Sequence, residues 1–491
     1  MQVFNKRYGK KYHVYTDSLK QWNNNLFFMV KDTQKKYLVV AGECFLAQKF
    51  EGVSLFAFKI NGIDAEIRLV HLNHQNLLIL QDIFPYLSPS VCGRQPSFGM
   101  ADRLGIITPA HIEAFKRNDI FPILAQQSVR ELTRTERNWG GVLEDTIWGC
   151  FEAGYEGPFG ADADHIKEIE DIQKGIEYGY TLFTIDPSDH VTEGASGFGR
   201  QKLSAAYESV PDRKTHEKLY LGKEFSFNGN TFGFTQENLA HSAITYSKAL
   251  DYVSKCYQYL QEHVKGKFEF EVSVDETSFS TSPLSHIFIV EELHRKKVEF
   301  QNLALHYTGS FQKAVDYIGD LDEYKREMKI HAEIARKLGG YKLSLHSGGL
   351  KYSAYPAFAK LTEGLFHIKI STSWLESMRI ILRRNPSLYK RIHQYILKQF
   401  DLDRASYELT TDLSQIPDIK SIHEKDMESL LDNKDMRQVI HTTYGSILSG
   451  KDEMGNYLFR EKVYQTLFEN EKEHYHTVSD HVKKHVELLE Y

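Results

Sequence analysis

Histidines and carboxylates recur in this 491-residue chain directly after short apolar runs. The runs end in Asp162-Ala-Asp164-His165, Asp186-Pro-Ser-Asp189-His190, Asp275-Glu276, His306 and His346-Ser-Gly-Gly349. Imidazole and carboxylate groups together are ligands for borderline divalent cations such as Zn, Ni, Co or Mn, and neighbouring carboxylates can transfer protons. If the runs are strands that end at one face of one fold, the sequence predicts a metal site with acid–base residues beside it.

Three of these positions suggest more specific roles. In Asp164-His165, the histidine can bind a metal while the aspartate stays free to take a proton. The glycines after His346 leave backbone N–H groups unobstructed, which suits a phosphate or carboxylate. Lys369 shares strand parity with His367 and is expected to point inward, where an unpaired ammonium is costly. It is expected to hold a substrate carboxylate, to form a Schiff base or to pair with an interior acid.

The apolar runs predict the fold. Each is followed by a longer amphipathic stretch, which is typical of repeated βα units. Eight such units predict a (β/α)8 TIM barrel with a long insertion between the fourth and fifth strands, and a doubly wound open sheet is the alternative. The predicted strands are 97–100, 121–126, 158–164, 180–186, 268–275, 298–305, 341–345 and 365–371.

The barrel is predicted to occupy residues 93–385 of a three-part chain. Residues 1–92 alternate apolar and polar side chains around turn residues such as Asn61-Gly62, which predicts an antiparallel β-rich meander. Residues 386–491 have helical periodicity and predict a helical C-terminal extension.

Composition narrows the class of protein. Apolar residues make up 41% of the chain, charged residues 26%, and the formal net charge is −6, so the basic excess of a nucleic-acid binder is missing. Four dispersed cysteines, the absence of an apolar leader and the absence of a run of ~20 apolar residues predict a soluble cytoplasmic protein without membrane contact.

Gly197-Phe-Gly199 lacks the third glycine of a dinucleotide fingerprint, and Asp452 replaces the Ser/Thr of a P-loop after Gly450-Lys451, so no nucleotide cofactor is expected. The oligomeric state is left open.

Longer motifs carry a family resemblance, and they extend over most of the predicted barrel. The chain resembles the tagaturonate epimerase family in Ala125-Gln-Gln-Ser-Val-Arg-Glu131, Trp148-Gly-Cys-Phe-Glu-Ala-Gly154, Gly160-Ala-Asp-Ala-Asp-His-Ile-Lys167, Phe183-Thr-Ile-Asp-Pro-Ser-Asp-His190, Glu271-Val-Ser-Val-Asp-Glu-Thr277, Val315-Asp-Tyr-Ile-Gly-Asp320, Lys342-Leu-Ser-Leu-His-Ser-Gly348 and Thr362-Glu-Gly-Leu-Phe-His-Ile-Lys369. The resemblance implies a metal-dependent isomerase that interconverts D-tagaturonate and D-fructuronate at C4, by retro-aldol and aldol steps, in hexuronate catabolism. A class II-type aldolase or lyase, a ketohexose 4-epimerase and a non-catalytic sugar-acid binder are the alternatives.

The resemblance, with a looser likeness to class II sugar-phosphate aldolases, also implies residue roles. Asp164 becomes the proton acceptor, Glu276 the proton donor, and His165 and His346 metal ligands. The third ligand is His306, with Glu276 and His190 as alternatives, because the sixth strand ends Leu303-Ala-Leu-His306 where the family more often has Leu-Ala-Pro-Arg. The implied substrate-binding residues are Gln127, Arg130, Ser347, Gly348, Lys351 and Lys369.

Overall fold

The computed structural model of the protein describes residues 2–116, 118–227 and 229–489, apart from the side chains of Gln2, Val3 and Ser196. An antiparallel sheet precedes a closed parallel barrel, and helices follow it. The first elements are α1 (Gln2–Tyr8), β1 (His13–Val14), β2 (Lys20–Trp22), β3 (Asn25–Lys31), β4 (Lys36–Glu43), α2 (Cys44–Ala47), β5 (Gly52–Ile60), β6 (Ile63–Val70) and α3 (His74–Ile83).

The N-terminal sheet is antiparallel as predicted, but it is not a simple meander. Its order is β1-β3-β4-β6-β5, with β2 paired to β3, so β6 lies between β4 and β5. Helix α2 takes the chain out of the sheet after β4, and β5 then pairs with β6 alone. Asn61 and Gly62 both have positive φ, at 50° and 84°, which is the backbone of a two-residue hairpin turn.

Eight parallel strands close into the predicted barrel, in the order β7-β8-β9-β10-β13-β14-β15-β16, with β16 paired to β7. Closure rules out the open-sheet alternative. Strands β11 and β12 form a separate antiparallel hairpin within the predicted insertion. The strands are β7 (Ser97–Met100), β8 (Phe121–Ser128), β9 (Gly160–Ile166), β10 (Leu182–Ile185), β11 (Glu224–Phe227), β12 (Asn230–Gly233), β13 (Glu269–Ser273), β14 (Asn302–Ala304), β15 (Lys342–Leu345) and β16 (Phe366–Ile370).

Helices surround the barrel, and the last of them returns to it. Helix α19 packs against α4 and α14, and its Val478 and Val482 belong to the same apolar core as the barrel strands. The helices are α4 (Thr108–Phe115), α5 (Val129–Thr135), α6 (Trp139–Glu152), α7 (Ile169–Tyr178), α8 (Arg200–Glu208), α9 (Arg213–Tyr220), α10 (Gln236–His263), α11 (Pro283–Arg295), α12 (Leu321–Lys337), α13 (Tyr355–Thr362), α14 (Ser373–Arg384), α15 (Pro386–Asp403), α16 (Lys434–Thr442), α17 (Tyr444–Ser449), α18 (Arg460–Glu469) and α19 (Glu471–Val486). Among the described residues, none of these helices combines the length and apolar character needed to cross a membrane. The three domain boundaries stay a prediction.

The C-terminal extension also contains short 3₁₀ helices, which connect α15 to α16 and follow α19. They are Arg404–Ser406, Leu413–Gln415, Ile419–Ser421, Glu424–Leu431 and Glu487–Leu489. A second apolar core joins this extension to α14 through Trp374, whose indole N–H donates to the Ile440 carbonyl at 3.0 Å. The extension is therefore packed on the C-terminal part of the barrel chain rather than connected by a free linker.

Buried histidines make this fold sensitive to acid. Burial lowers the pKa of His111, His331 and His474 to about 4, whereas an unfolded chain protonates histidine near pH 6.5. A lowered folded pKa gives stability that is fully present above about pH 6.5 and is lost as the pH falls toward the folded pKa. The pKa is lowered in the same direction for His286, His367, His393, His441 and His485.

We therefore expect the free energy of unfolding to fall between pH 7.5 and pH 5.5, by about 1 kcal/mol for each such histidine. His165 and His346 have raised pKa values and offset part of this loss. Urea unfolding at the two pH values measures the difference, and His331→Gln should reduce it. Equal stability at both pH values would contradict the expectation.

Candidate active site

The polar strand ends meet at the carboxyl-terminal face of the barrel. Strand β9 places His165 there, the chain leaving β13 places Asp275 and Glu276, and the chain leaving β15 places His346. These four side chains line one cleft with a volume of about 610 Å³. That volume is in the range of small-molecule sites, and this face holds the active site in TIM-barrel enzymes.

Two histidines and one aspartate form a donor set that fits a divalent cation. One ligand atom from each of His165, Asp275 and His346 lies within 4.8 Å of the others. The two imidazole rings have centroids 4.9 Å apart, and His346 Nδ1 is 3.3 Å from Asp275 Oδ2. Two imidazoles and a carboxylate suit a borderline cation, and three protein ligands leave positions for substrate.

We call His165, Asp275 and His346 the triad. Carboxylates beneath the triad orient both imidazoles. Asp164 Oδ1 is 2.7 Å from His165 Nδ1, and Glu271 Oε1 is 2.9 Å from His346 Nε2. Each ring therefore has one nitrogen held by an acid and the other available as a ligand, which is the usual outer-sphere arrangement of metal-binding histidines. Lys369 Nζ connects the two acids, at 2.7 Å from Asp164 Oδ1 and 2.7 Å from Glu271 Oε2.

The backbone at two of these strand ends is left-handed. His165 has φ of 52° and Ser347, next to His346, has φ of 53°. Non-glycine residues rarely adopt this conformation, and it concentrates at functional sites where surrounding contacts hold it. Here the Asp164 contact and the paired strands hold His165 in position.

The third member of the triad differs from the predicted ligands. His306 lines the cleft, and its buried Nδ1 has no hydrogen-bond partner among the described residues. Glu276 instead accepts from Arg130 at 3.0 Å, and His190 is exposed and stacks on Tyr252 at 4.3 Å. The structure thus groups Asp275 with the two histidines. Its position directly before Glu276, after an apolar strand, was the available signal.

Among the described residues, two other groups of histidine and acid side chains have spacing that could suit a metal, but a cation of the chain already neutralises each. Lys369 Nζ lies 2.8 Å from Asp162 Oδ2 in the group Asp162, Glu271 and His367. Arg295 pairs with the acids of the group Asp212, His216 and Glu292. The cleft triad is therefore the group that suits an added cation.

Several titratable groups in the cleft have shifted pKa values. Burial opposes the charge of His346, but Asp275 and Glu271 raise its pKa to about 10. Burial also opposes ionisation of Asp164 and Glu276, yet His165 holds the pKa of both below the ordinary value, assisted by Lys369 and Arg130 respectively. Both carboxyls are thus ionised at neutral pH.

Asp186 is the opposite case. It follows β10, lines the same region as His165 and Glu276, and is almost completely buried. Burial raises the pKa of Asp186, and its Oδ2 has no hydrogen-bond partner in the described part of the chain. Lys167 Nζ is 3.6 Å from that oxygen. Paired carboxyls whose pKa values are moved apart are typical of proton donor and acceptor pairs.

These contacts favour a different role for Asp164 from the predicted one. Its Oδ1 is shared by His165 and Lys369, so the carboxylate is engaged rather than free to accept a proton. Orientation of His165 is the role that this geometry favours. The proton-donor role predicted for Glu276 also fits poorly with an ionised side chain, whereas a proton-acceptor role fits well.

The predicted substrate-binding residues are only partly brought together. Arg130 and Ser347 line the cleft. Gln127 is buried and its amide is 3.4 Å from Glu131 Oε2, and Lys351 is fully buried against backbone carbonyls. The Gly348 amide donates to the Lys369 carbonyl at 2.9 Å, so it is not free for an anion. A Cβ on Gly348 would lie 2.8 Å from Ile368 Cγ2, and close packing explains this glycine.

Lys369 pairs with interior acids, one of the three alternatives that the sequence left open. Lys369→Met is expected to destabilise the fold by about 3–5 kcal/mol because it leaves buried carboxylates without a counter-ion. Lys342→Met is the matched control: Lys342 is equally buried in β15 but donates to neutral Ser97 Oγ at 3.0 Å and Cys92 Sγ at 3.3 Å. Urea unfolding compares the two variants, and equal losses would contradict the charge argument.

A closed parallel barrel with a histidine–aspartate donor set and shifted carboxyls at its carboxyl-terminal face defines a TIM-barrel enzyme suited to metal-dependent acid–base chemistry. The family model described as tagaturonate epimerase, UxaE, matches residues 15–489. The chain belongs to the tagaturonate epimerase family. The predicted resemblance, barrel fold and isomerase class are confirmed.

Individual relatives match this chain over nearly their whole length. The tagaturonate/fructuronate epimerase of Thermotoga maritima is 44% identical over 498 residues, covering 100% of this chain and 99% of that protein. The native crystal structure of fructuronate-tagaturonate epimerase UxaE from Cohnella laeviribosi is 34% identical with a TM-score of 0.93, covering 99% of this chain and 98% of that one. A crystal structure of the same Cohnella protein with two glycerols has a TM-score of 0.93 at 35% identity over the same shares.

Proposed function

We propose that the protein interconverts D-tagaturonate and D-fructuronate by inverting C4 of the ketose chain. The observation that carries the proposal is the full-length match to tagaturonate/fructuronate epimerases, together with the triad beside Glu276 and Asp186 in one cleft. Numbered as a ketose, the substrate has its ketone at C2 and its carboxylate at C6. The C4 hydrogen is β to the ketone, so direct enolisation does not invert this centre.

Cleavage and re-formation of the C3–C4 bond can invert C4 without enolisation at that carbon. A base removes the C4 hydroxyl proton, the C3–C4 electron pair passes to an enediolate of dihydroxyacetone, and C4 becomes the aldehyde carbon of tartronate semialdehyde. Rotation of the aldehyde and re-addition of the enediolate to its other face invert C4. The C4 hydrogen stays on carbon throughout.

We assign a divalent cation, one of Zn, Ni, Co or Mn, to the site formed by His165, Asp275 and His346. When bound, such a cation supplies Lewis-acid stabilisation of negative charge on substrate oxygens. Asp164 and Glu271 keep the two imidazoles oriented, and Lys369 keeps those two acids in place.

Proton transfer is assigned to the remaining carboxyls. Glu276, ionised and 3.0 Å from Arg130, takes the hydroxyl proton from C4 as the bond breaks. Asp186, buried and with a raised pKa, gives a proton to the new C4 alkoxide after re-addition. Solvent then restores the two starting protonation states. Asp164, the predicted acceptor, serves the chemistry through His165.

We also infer that the substrate is a small sugar acid and that the protein works in the cytoplasm. The cleft volume of about 610 Å³ accommodates a hexuronate. All four cysteines are free, as the sequence predicts for a reducing compartment.

Incubation of the metal-loaded protein with tagaturonate, fructuronate, tagatose and fructose, followed by NMR, tests the proposal. We expect incubation with either tagaturonate or fructuronate to give the same equilibrium mixture of the two sugar acids. Exhaustive EDTA treatment should stop the reaction. Accumulation of a free aldehyde in a coupled assay would instead identify an aldolase or lyase. Metal and sugar-acid binding without turnover would identify a binding protein.

A further inference from the structure

The cations that line the cleft differ in whether they are already paired. Arg130 donates to Glu276 at 3.0 Å, Lys167 to Asp189 at 3.0 Å, Arg103 to Glu131 at 2.8 Å, and Lys369 to three carboxylates. Lys313 lines both the cleft of Asp275 and the adjoining cavity that Asp186 lines, which share His165, Glu276 and His346. Among the described Lys and Arg residues that line the cleft, Lys313 is the one whose charged group has no carboxylate within ion-pair distance.

The three cations among the implied substrate-binding residues, Arg130, Lys351 and Lys369, are already engaged by other groups of the chain. Arg130 and Lys369 are paired with acids, as described above. Lys351 Nζ donates to the carbonyls of Gln312 at 2.6 Å, Val315 at 2.5 Å and Gly349 at 3.2 Å. Lys351 thus binds backbone carbonyls on both sides of Lys313 rather than a group in the cleft.

Side chains hold every carbonyl of the segment 312–315, which carries Lys313. Lys351 binds the first and the last, Gln438 Nε2 donates to the Lys313 carbonyl at 3.2 Å, and Arg437 Nε donates to the Ala314 carbonyl at 3.2 Å. Ala314 has φ of 57°, a left-handed conformation that L-residues rarely adopt. Such a backbone persists only where its surroundings hold it, and these donors do so.

Lys313 also lies near the reacting groups. It lines the same two regions as Glu276 and His346. An unpaired ammonium that lines the same cleft as a proton-transferring carboxylate suits an anionic substrate group. The C6 carboxylate is that group, and it stays with the C4 aldehyde fragment after C3–C4 cleavage.

We propose that Lys313 binds the substrate carboxylate and that segment 312–315, whose backbone carbonyls are bound by side chains, positions Lys313. This inference rests on the proposed function. A fixed carboxylate retains the aldehyde fragment while C4 turns its other face to the enediolate, which favours epimerisation over release. The C-terminal extension contributes to the site through Arg437 and Gln438, although neither residue lines the two cleft regions around the triad.

Binding of a charged and a neutral sugar separates the possibilities. Calorimetry on the metal-loaded protein gives the Kd of tagaturonate and that of tagatose, a ketohexose without a carboxylate. We expect Lys313→Met to raise the Kd of tagaturonate about tenfold to a hundredfold and to leave that of tagatose within about twofold. Lys313→Arg should keep most of the affinity. Lys325→Met, which removes an exposed lysine of α12 paired to Asp322, should change neither value.

The outcomes distinguish this inference from the proposed function. An unchanged Kd of tagaturonate in Lys313→Met, or an equal rise for both sugars, overturns the role of Lys313 even if wild-type protein epimerises tagaturonate. Wild-type protein that binds tagaturonate without converting it overturns the proposed function but still reports on Lys313. Wild-type protein that does not bind tagaturonate overturns both. Metal content, measured in each variant, must match that of the wild-type protein.

Discussion

His165→Ala and His346→Ala are expected to lose the bound metal and to reduce turnover by about 10³-fold or more. Each substitution removes one of three clustered donors, and Lewis-acid stabilisation is worth several kcal/mol in such sites. Elemental analysis of the purified variants and an epimerisation assay measure the two effects. His190→Ala is the matched control because His190 follows a strand motif of the same kind but is exposed and stacks on Tyr252.

The same measurement identifies the third ligand. Asp275→Ala should behave like the two histidine variants, whereas His306→Ala should keep its metal, because the geometric group contains Asp275 and not His306. Metal retained in His165→Ala and His346→Ala would contradict the site. Metal lost in His306→Ala and retained in Asp275→Ala would restore the ligand that the sequence suggested.

Glu276→Gln is expected to lower kcat by about 10²- to 10⁴-fold while metal content stays normal. Glutamine keeps the size of the side chain but cannot accept a proton, so chemistry and metal binding are separated. Steady-state kinetics and elemental analysis measure the two properties. Glu193→Gln is the matched control, since Glu193 lies nearby and accepts from the backbone and hydroxyl of Ser278. A normal kcat, or loss of metal, in Glu276→Gln would contradict the assignment.

The barrel was predictable because its strands leave a strong local pattern. Strand β7 has the predicted bounds, and β15 differs from its prediction by one residue, since an apolar run with a polar end determines both. The order of the N-terminal sheet was not predictable in this way. Pairing of β6 with β4 depends on where α2 directs the chain, which is a non-local property.

The candidate site was predictable by residue type but not by partner. His165 and His346 follow from their strand ends, and both lie in the triad. Asp164 looked free in the sequence, but closure of the barrel brings Lys369 to it from a strand more than two hundred residues away. Lys313 carried no sequence signal at all, because its availability depends on which other cations in the cleft are already paired.

Epimerisation of tagaturonate in deuterated water shows most directly whether C4 is inverted by cleavage of the C3–C4 bond. The metal-loaded protein is incubated with tagaturonate, and NMR follows both the formation of fructuronate and the isotope at C4. We expect fructuronate to form with protium still at C4, because the base removes only the hydroxyl proton while the C3–C4 bond breaks. Absence of fructuronate, or deuterium at C4 of the product, would contradict it.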